Sequence, residues 1–376
     1  MSVILPCLNE VESVAGVVRE VEDALRAAGV AGETIVVDNG STDGSAIAAA
    51  EAAARVVVER RRGYGQAYLA GFAEARGRYI VMADADGSYD LAALPAFLDA
   101  LDAGNDLVMG SRFQGRIAPG AMPFLHRYIG SPVLSGLLNL LYGTGVDDAH
   151  CGMRALRRDA LPRLHLRMPG MEFASEMIVN AARAGLRIAE VPVDYRPRTG
   201  RSKLHTMRDG WRHLRFLLLY SPTHLFLIPG AVLFLVGLVL LVALLPGPLQ
   251  LFGFSLDIHY MVLGALLTLL GSQIVALGLY AKTVAVALEL QPIDRTLAIL
   301  RRAFSLERGL ILGGVMFAAG LGVDASIAIT WFARGLGALD EVRPALFALA
   351  AMLLGVQVAF SSLFLSLIDL QVGRTG

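Results

Sequence analysis

The residues best suited to chemistry are Asp84 and Asp86, two carboxylates one residue apart that follow the apolar run Arg78-Tyr-Ile-Val-Met82. A strand ending in Asp-Ala-Asp puts both side chains at the carboxyl edge of a sheet, where open α/β folds bind ligands. Two clustered hard oxygen ligands suit a divalent cation that also takes phosphate oxygens. The same pair also suits a turn or a helix cap, helped by Gly87 and Ser88, so alone it does not decide. Two further strand ends carry acids, Leu5-Pro-Cys-Leu-Asn-Glu10 and Ile35-Val-Val-Asp-Asn-Gly-Ser-Thr-Asp43. An Asp in that position can accept hydrogen bonds from a ribose hydroxyl or a base N–H. Three acidic strand ends along one sheet edge predict a nucleotide-diphosphate site.

The elements that must hold these residues alternate along the chain. Strands are expected at Ser2–Leu5, Thr34–Val37, Val56–Val58, Tyr79–Ala83 and Leu107–Met109. Helical periodicity runs from Glu10 to Ala28, from Ser41 to Ala54 and from Gly65 to Ala75. This alternation predicts a mostly parallel sheet with helices on both faces. Gly63-Tyr-Gly65 is not a dinucleotide fingerprint, because a third glycine is missing and the motif does not follow the first strand. Cys7 and Cys151 are too few for a disulfide framework and are read as packing residues.

The second half of the chain is of a different kind. The 376 residues leave room for about two domains. They are 55% hydrophobic and 18% charged, with a mean hydropathy of +0.57, which implies a membrane. Four apolar runs, about 225–245, 260–281, 310–331 and 345–368, reach the roughly 20 residues that span a bilayer core. Asp324 interrupts the third, and an intramembrane carboxylate usually faces protein or marks a functional site. Residues 205–221 mix Arg208, Arg212 and Arg215 with Trp211, Phe216 and Leu217, the pattern of an amphipathic helix in the membrane interface. The domain boundaries expected are therefore 1–204, 205–221 and 222–376. Lys203, Arg208, Arg212 and Arg215 precede the first span, and Arg295, Arg301, Arg302 and Arg308 lie between the second and third. The loop Pro246–His259 has no Lys or Arg, so the N-terminal domain should be cytosolic. Met1–Glu10 lacks the basic and long apolar regions of a signal peptide. A formal net charge of zero gives no sign of nucleic-acid binding.

Together the motifs resemble family 2 glycosyltransferases of the GT-A fold, especially the polyprenyl-phosphate (dolichyl-phosphate) mannose and glucose synthases. The matching pieces are Pro6-Cys-Leu-Asn-Glu10, Val37-Asp-Asn-Gly-Ser-Thr-Asp43, Gly63-Tyr-Gly-Gln-Ala67, Asp84-Ala-Asp86, Gly110-Ser-Arg-Phe113, Asp148-Ala-His-Cys-Gly-Met-Arg154 and Gly200-Arg-Ser-Lys-Leu204. The resemblance implies that Pro6, Asn9, Glu10, Asp38, Gly63 and Ala85 line the nucleotide-sugar pocket. It implies that Asp84 and Asp86 hold Mg²⁺ or Mn²⁺ at the diphosphate, with Lys203 as a counter-charge. Arg112, Arg127 and Ser131 would cradle the acceptor phosphate of a polyprenyl lipid, the two arginines and Asp86 carrying the catalytic roles. Asp148 and Arg154 would shape the sugar pocket, with Glu172 and Glu176 on the same wall. His126 and His150 are read as structural or supporting residues.

The expected reaction is transfer of a hexose from UDP-glucose or GDP-mannose to polyprenyl or dolichyl phosphate. Gly87-Ser-Tyr89 leans toward a glucose-type synthase by resemblance. The second pKa of a phosphate monoester is about 6, so the acceptor needs no general base. In-line attack would invert the anomeric centre. One alternative is a processive polysaccharide synthase, but the Gln-x-x-Arg-Trp motif of those enzymes is absent, Trp211 being preceded by Asp209-Gly210. The other is a non-catalytic lipid-carrier translocator, against which both Asp84 and Asp86 argue. A homo-oligomer is left open.

Overall fold

The computed structural model describes residues 1–200, 206–251, 253–287, 297 and 305–372. The chain divides into two units, Met1–Leu217 and Leu218–Gly376. Lys203, Arg295, Arg301 and Arg302 lie outside the described residues.

The first unit begins β1 (Ser2–Cys7), α1 (Val14–Ala27), β2 (Glu33–Asp38), α2 (Ser45–Glu51), β3 (Arg55–Val58), α3 (Tyr64–Glu74) and β4 (Tyr79–Met82). It continues with α4 (Leu94–Asp102), β5 (Leu107–Ser111), α5 (Ser131–Tyr142), β6 (Arg154–Arg157), α6 (Leu161–Leu164), α7 (Phe173–Arg183), β7 (Ile188–Pro192) and α8 (Thr206–Leu219). The seven strands form one sheet in the order β3-β2-β1-β4-β6-β5-β7. Only β6 runs antiparallel to its neighbours β4 and β5. The expected mostly parallel sheet therefore holds, with one reversed strand that sequence periodicity did not reveal.

Helix α1 packs through Val14, Val17, Val18, Val21 and Leu25, a three-and-four spacing that puts one apolar stripe on the sheet. Its core is shared with Val3, Leu5, Val36 and Val81. Pro6 is tolerated in a central strand because β4 pairs with β1 only from Ser2 to Ile4. Its missing N–H therefore falls where no β4 partner requires one. Helix α2 starts at Ser45, later than its Ser41 signal, because Gly44 adopts φ 89° and breaks the approach.

The second unit holds helices α9 (Ile228–Ala243), α10 (Ile258–Ala287), α11 (Leu306–Ala333) and α12 (Val342–Val372). A short hairpin, β8 (Leu249–Leu251) and β9 (Phe254–Leu256), joins the first two helices. Four helical stretches, Thr223–Ala243, Ile258–Ala287, Leu306–Ala333 and Val342–Ile368, are long and apolar enough to cross a membrane. Helices α9 and α10 meet at Gly230, Gly237, Gly264 and Gly271, and α11 and α12 at Gly309, Gly313, Gly320 and Gly355. Small residues let helix backbones approach where lipid gives no hydrophobic drive to associate. Ser272 donates to Gln357 at 2.9 Å and Tyr280 to Ser361 at 2.7 Å, tying α10 to α12. Asp324 lies four residues beyond Gly320, whose neighbours are Ala348 and Met352, and so falls near the first turns of α12.

Candidate active site

The sheet register gathers the chemistry at one edge. Cys7 pairs with Asp38, Ile4 with Met82, and Arg154 with both Met82 and Met109. The carboxyl ends of β1, β2, β4 and β5 therefore lie beside the amino end of the reversed strand β6. The loops that follow or precede these ends carry Glu10, Asp38, Asp84, Asp86, Arg112 and Asp148.

The first two loops are laced together. Asn9, in the left-handed region at φ 53°, accepts from the Thr42 backbone N–H at 2.8 Å, and its own N–H donates to Ser41 Oγ at 2.9 Å. The Glu10 N–H donates to Ser45 Oγ at 2.8 Å, and Asp38 accepts from the Ser41 N–H at 3.1 Å. Buried Asn39 donates to the carbonyls of Glu59 and Arg61 and accepts from the Gly63 N–H at 2.7 Å. A Cβ at Gly63 would lie 2.2 Å from the Pro169 carbonyl oxygen, so a glycine is needed there for close packing. Asn9 is thus engaged with protein, while Glu10 and Asp38 stand at the carboxyl ends of β1 and β2.

Asp84 and Asp86 extend from β4 with contrasting partners. Tyr64 donates to Asp84 Oδ1 at 3.4 Å. Asp84 Oδ2 faces Gly152, where an added Cβ would come within 2.7 Å of it. Burial, and then the charge of Asp86, push the Asp84 carboxyl up to about 7. Asp86 accepts from the Ser88 N–H at 3.0 Å and faces Arg198 Nη1 at 3.5 Å. Arg198 also pairs with Glu10 through Nη2 at 2.9 Å, so one guanidinium bridges the first and third acidic loops. Thr199 N–H donates to the Asp86 carbonyl at 3.0 Å and Arg196 N–H to that of Ser88 at 2.8 Å, holding the segment after β7 across the site. Two crowded carboxylates with few donors between them are a donor set that fits a hard divalent cation. Among the described residues no cluster of three or more His, Cys, Asp or Glu side chains is placed to hold a metal, so other ligands would have to come from substrate or water.

The basic groups come from the loop after β5, the turn before α5 and the start of β6. Arg112 is buried and makes a bidentate pair with Asp148, and its guanidinium sits over the Tyr195 ring at 5.2 Å. Its Nη1 makes no hydrogen bond to a described residue. Asp148 is fully buried and orients Arg112. Arg154 donates to the carbonyls of Cys151, Ala174 and Ala149, tying the loop before β6 to α7. Glu176 accepts from the Arg167 and Met168 N–H groups, holding the loop before α7 against that helix. Glu172 keeps one buried carboxylate oxygen without a hydrogen bond. Arg127 has no ion pair among the described residues and lies over the Tyr128 ring at 5.4 Å. Ser131 opens α5, and the segment 124–140 that contains both exposes apolar side chains: Phe124 (72% exposed), Leu125, Tyr128, Ile129, Val133 and Leu140 (76%). Both cysteines are packing residues, their thiols pushed by burial to about 11 for Cys7 and about 12 for Cys151.

Arg198 is the residue that sequence reasoning missed. The expected counter-charge, Lys203, lies outside the described residues. The available signal was Arg196-Pro-Arg198, ending two residues before Gly200, but nothing local links it to Glu10.

A sheet of this order with an Asp-x-Asp pair at its carboxyl edge defines a GT-A nucleotide-diphospho-sugar transferase domain. The description Glycosyl transferase family 2 matches residues 2–164, and Glycosyltransferase family 2 C-terminal transmembrane region matches residues 279–369. The chain is 40% identical over 366 residues to the low-salt glycan biosynthesis hexosyltransferase Agl6 of Haloferax volcanii, covering 97% of this chain and 88% of that one. A dolichyl-phosphate hexose transferase of the same organism is 32% identical over 212 residues, covering 56% and 89%. The polyprenol monophosphomannose synthase of Mycolicibacterium smegmatis is 35% identical over 209 residues, covering 52% and 77%. The chain belongs to glycosyltransferase family 2, and it is a multi-pass membrane glycosyltransferase.

Proposed function

We propose that this enzyme is an inverting hexosyltransferase that moves a hexose from a nucleotide sugar, UDP-glucose or GDP-mannose, to polyprenyl or dolichyl phosphate at the cytosolic face of the membrane. The observation that carries this reading is the gathering of carboxylates and arginines at one sheet edge. Asp84, Asp86 and Arg198 stand together after β4, and Arg112, fixed by Asp148, follows β5 at the same edge. A two-phosphate reaction needs both kinds of group, carboxylates for a cation at the leaving diphosphate and arginines for an attacking phosphate. The exposed apolar side chains around Arg127 and Ser131 support an acceptor that is a lipid. The names of two relatives, a dolichyl-phosphate hexose transferase and a polyprenol monophosphomannose synthase, support the same acceptor class.

In this reading an oxygen of the lipid phosphate attacks the anomeric carbon from the face opposite the diphosphate. The new C–O bond forms as the bond to the β-phosphate breaks, the nucleoside diphosphate leaves, and the anomeric centre inverts. Arg112, held rigid by Asp148, and Arg127 orient the acceptor, and this positioning supplies much of the rate. Arg198 sets positive charge beside Asp86 on the donor side. Asp84 and Asp86 would hold Mg²⁺ or Mn²⁺, which when bound supplies positive charge to the leaving diphosphate. No general base is required of the protein, because the acceptor is already ionised near neutral pH.

The test is transfer from labelled UDP- and GDP-hexoses to a short polyprenyl phosphate by the full-length protein in lipid nanodiscs. The expected product is a lipid-phosphate hexose of inverted configuration. A folded protein that transfers from no donor would overturn the enzyme reading, and a retained configuration would overturn the mechanism.

A further inference from the structure

His150 lies in the loop that enters β6, and its neighbours in that loop are all engaged. Asp148 is spent on Arg112. The Ala149 N–H donates to Ser135 Oγ at 3.1 Å, and the Ala149 and Cys151 carbonyls accept from Arg154 at 2.9 and 3.0 Å. The imidazole of His150 differs from them: neither Nδ1 nor Nε2 has a hydrogen-bond partner among the described residues, and both are shielded from solvent. Buried polar atoms are nearly always met by protein, water or ligand, so a ring with both nitrogens unmet among the described residues is placed to take a ligand.

The surroundings indicate what kind of partner. The edge of the ring meets His213 at a centroid distance of 4.6 Å and an angle of 89°, and His213 Nδ1 bonds Ser175 Oγ at 2.9 Å. Burial first, and then His213, Arg112, Arg154 and His126, hold His150 well below the ordinary histidine value. The nearest carboxylate in sequence, Asp148, is already neutralised by Arg112. With Asp148 paired, the groups acting on the ring are basic, so an anion is the partner that fits. Two observations favour the acceptor's side over the donor's. His126 immediately precedes Arg127. Ser135, which holds Ala149, stands one helical turn beyond Ser131 on the same face of α5. Arg198, by contrast, is committed to Glu10 and Asp86.

We propose that His150 is a direct ligand of the acceptor phosphate monoester, one ring N–H donating to a phosphate oxygen beside Arg112, Arg127 and Ser131. This rests on the two-phosphate reading above. A neutral imidazole suits the task. It donates a hydrogen bond to the dianion without transferring a proton, whereas an imidazolium could protonate the oxygen that must attack.

The test compares full-length wild type, His150→Phe and His150→Gln in nanodiscs. It uses short prenyl phosphate binding by calorimetry alongside transfer kinetics. Loss of one hydrogen bond to a charged oxygen should weaken prenyl phosphate binding and raise its KM by about tenfold in His150→Phe. The nucleotide-sugar KM should stay within about twofold, the melting temperature should hold or rise, and His150→Gln should recover part of the loss. Unchanged prenyl phosphate affinity in folded His150→Phe overturns the assignment, as does an equal loss for both substrates with a lowered melting temperature. If that variant does not fold, ¹⁵N-histidine spectra of wild type decide. A His150 resonance that moves on adding prenyl phosphate supports contact, and one that does not move overturns it. Wild type that binds prenyl phosphate through His150 but transfers no sugar would sink the proposed activity and leave this site standing. Wild type that does not bind prenyl phosphate removes the site as well.

Discussion

Arg112 and Asp148 are locked together by three bonds. Arg112 donates Nε–H to Oδ2 at 2.6 Å, Nη2–H to Oδ1 at 2.8 Å, and its backbone N–H to Oδ2 at 3.1 Å. The Asp148 side chain is 0% exposed and that of Arg112 is 9% exposed. The pair therefore fixes the direction of Nη1, the guanidinium nitrogen that bonds no described residue. Removing one partner of a buried ion pair leaves the other charge uncompensated, at a cost of about 3–5 kcal/mol. Asp148→Ala is expected to lower stability by that order and to abolish transfer. Asp148→Asn keeps the volume and should fold with a raised acceptor KM. Thermal melts and steady-state kinetics check both, and an unshifted melt for Asp148→Ala would contradict the role given to the pair.

The Asp84 carboxyl gives a pH dependence with a definite sign. Its folded-state value is raised from 3.8 to about 7, by burial first and then by Asp86. Between those values the folded state holds more protons than the unfolded chain, so stability falls as pH rises through this window. The cation-free protein should therefore melt at progressively lower temperature from about pH 5 to about pH 8. Asp84→Asn should flatten that slope. Because a cation binds the ionised form, added Mg²⁺ or Mn²⁺ should raise the melting temperature more at the upper end and release protons on binding near neutrality. Calorimetry in buffers of different ionisation enthalpy counts those protons. An Asp84→Asn protein with the same slope as wild type would remove Asp84 as its source.

The parts of this site legible in the sequence are those in which strand and chemistry are adjacent. Asp38, Asp84 and Asp86 end β2 and follow β4, and the apolar runs before them are unambiguous strands. β6 was not legible, because Arg154-Ala-Leu-Arg157 has arginines at both ends and only two apolar residues, too short for a period to show. Its reversed direction is nevertheless what places Asp148 and His150 at the edge. Arg198 escaped for another reason. It pairs with Glu10 across 188 residues, and ion pairing at that range follows from topology rather than local pattern. Arg112 was expected at substrate from its motif, but its buried partner Asp148 emerges only from the three-dimensional contact.

Gly152 tests whether the space above Asp84 matters. Its backbone is not in the left-handed region, so alanine meets no conformational penalty there. The added Cβ would nevertheless stand 2.7 Å from Asp84 Oδ2 and 3.1 Å from the Tyr89 hydroxyl. Gly152→Ala is expected to retain the fold while lowering kcat/KM for the nucleotide sugar by more than about tenfold, because misplacement near 1 Å is costly in a positioned reaction. A folded Gly152→Ala enzyme with wild-type donor kinetics would show that the space over Oδ2 is not used.

Arg127 offers the cleanest separation of acceptor from donor. Its guanidinium rests over Tyr128 and pairs with no carboxylate among the described residues, so removing it leaves no buried charge behind. Arg127→Ala should therefore change melting temperature little. A hydrogen bond to a charged group contributes about 1.5–3 kcal/mol, so the KM for polyprenyl phosphate should rise by about tenfold or more. Arg127→Lys should recover charge but not the planar fork and fall between the two. Nucleotide-sugar KM should be unaffected in either variant. Initial rates with each substrate varied in turn make the comparison, and a loss confined to the nucleotide sugar would move Arg127 from the acceptor's side of the reaction to the donor's.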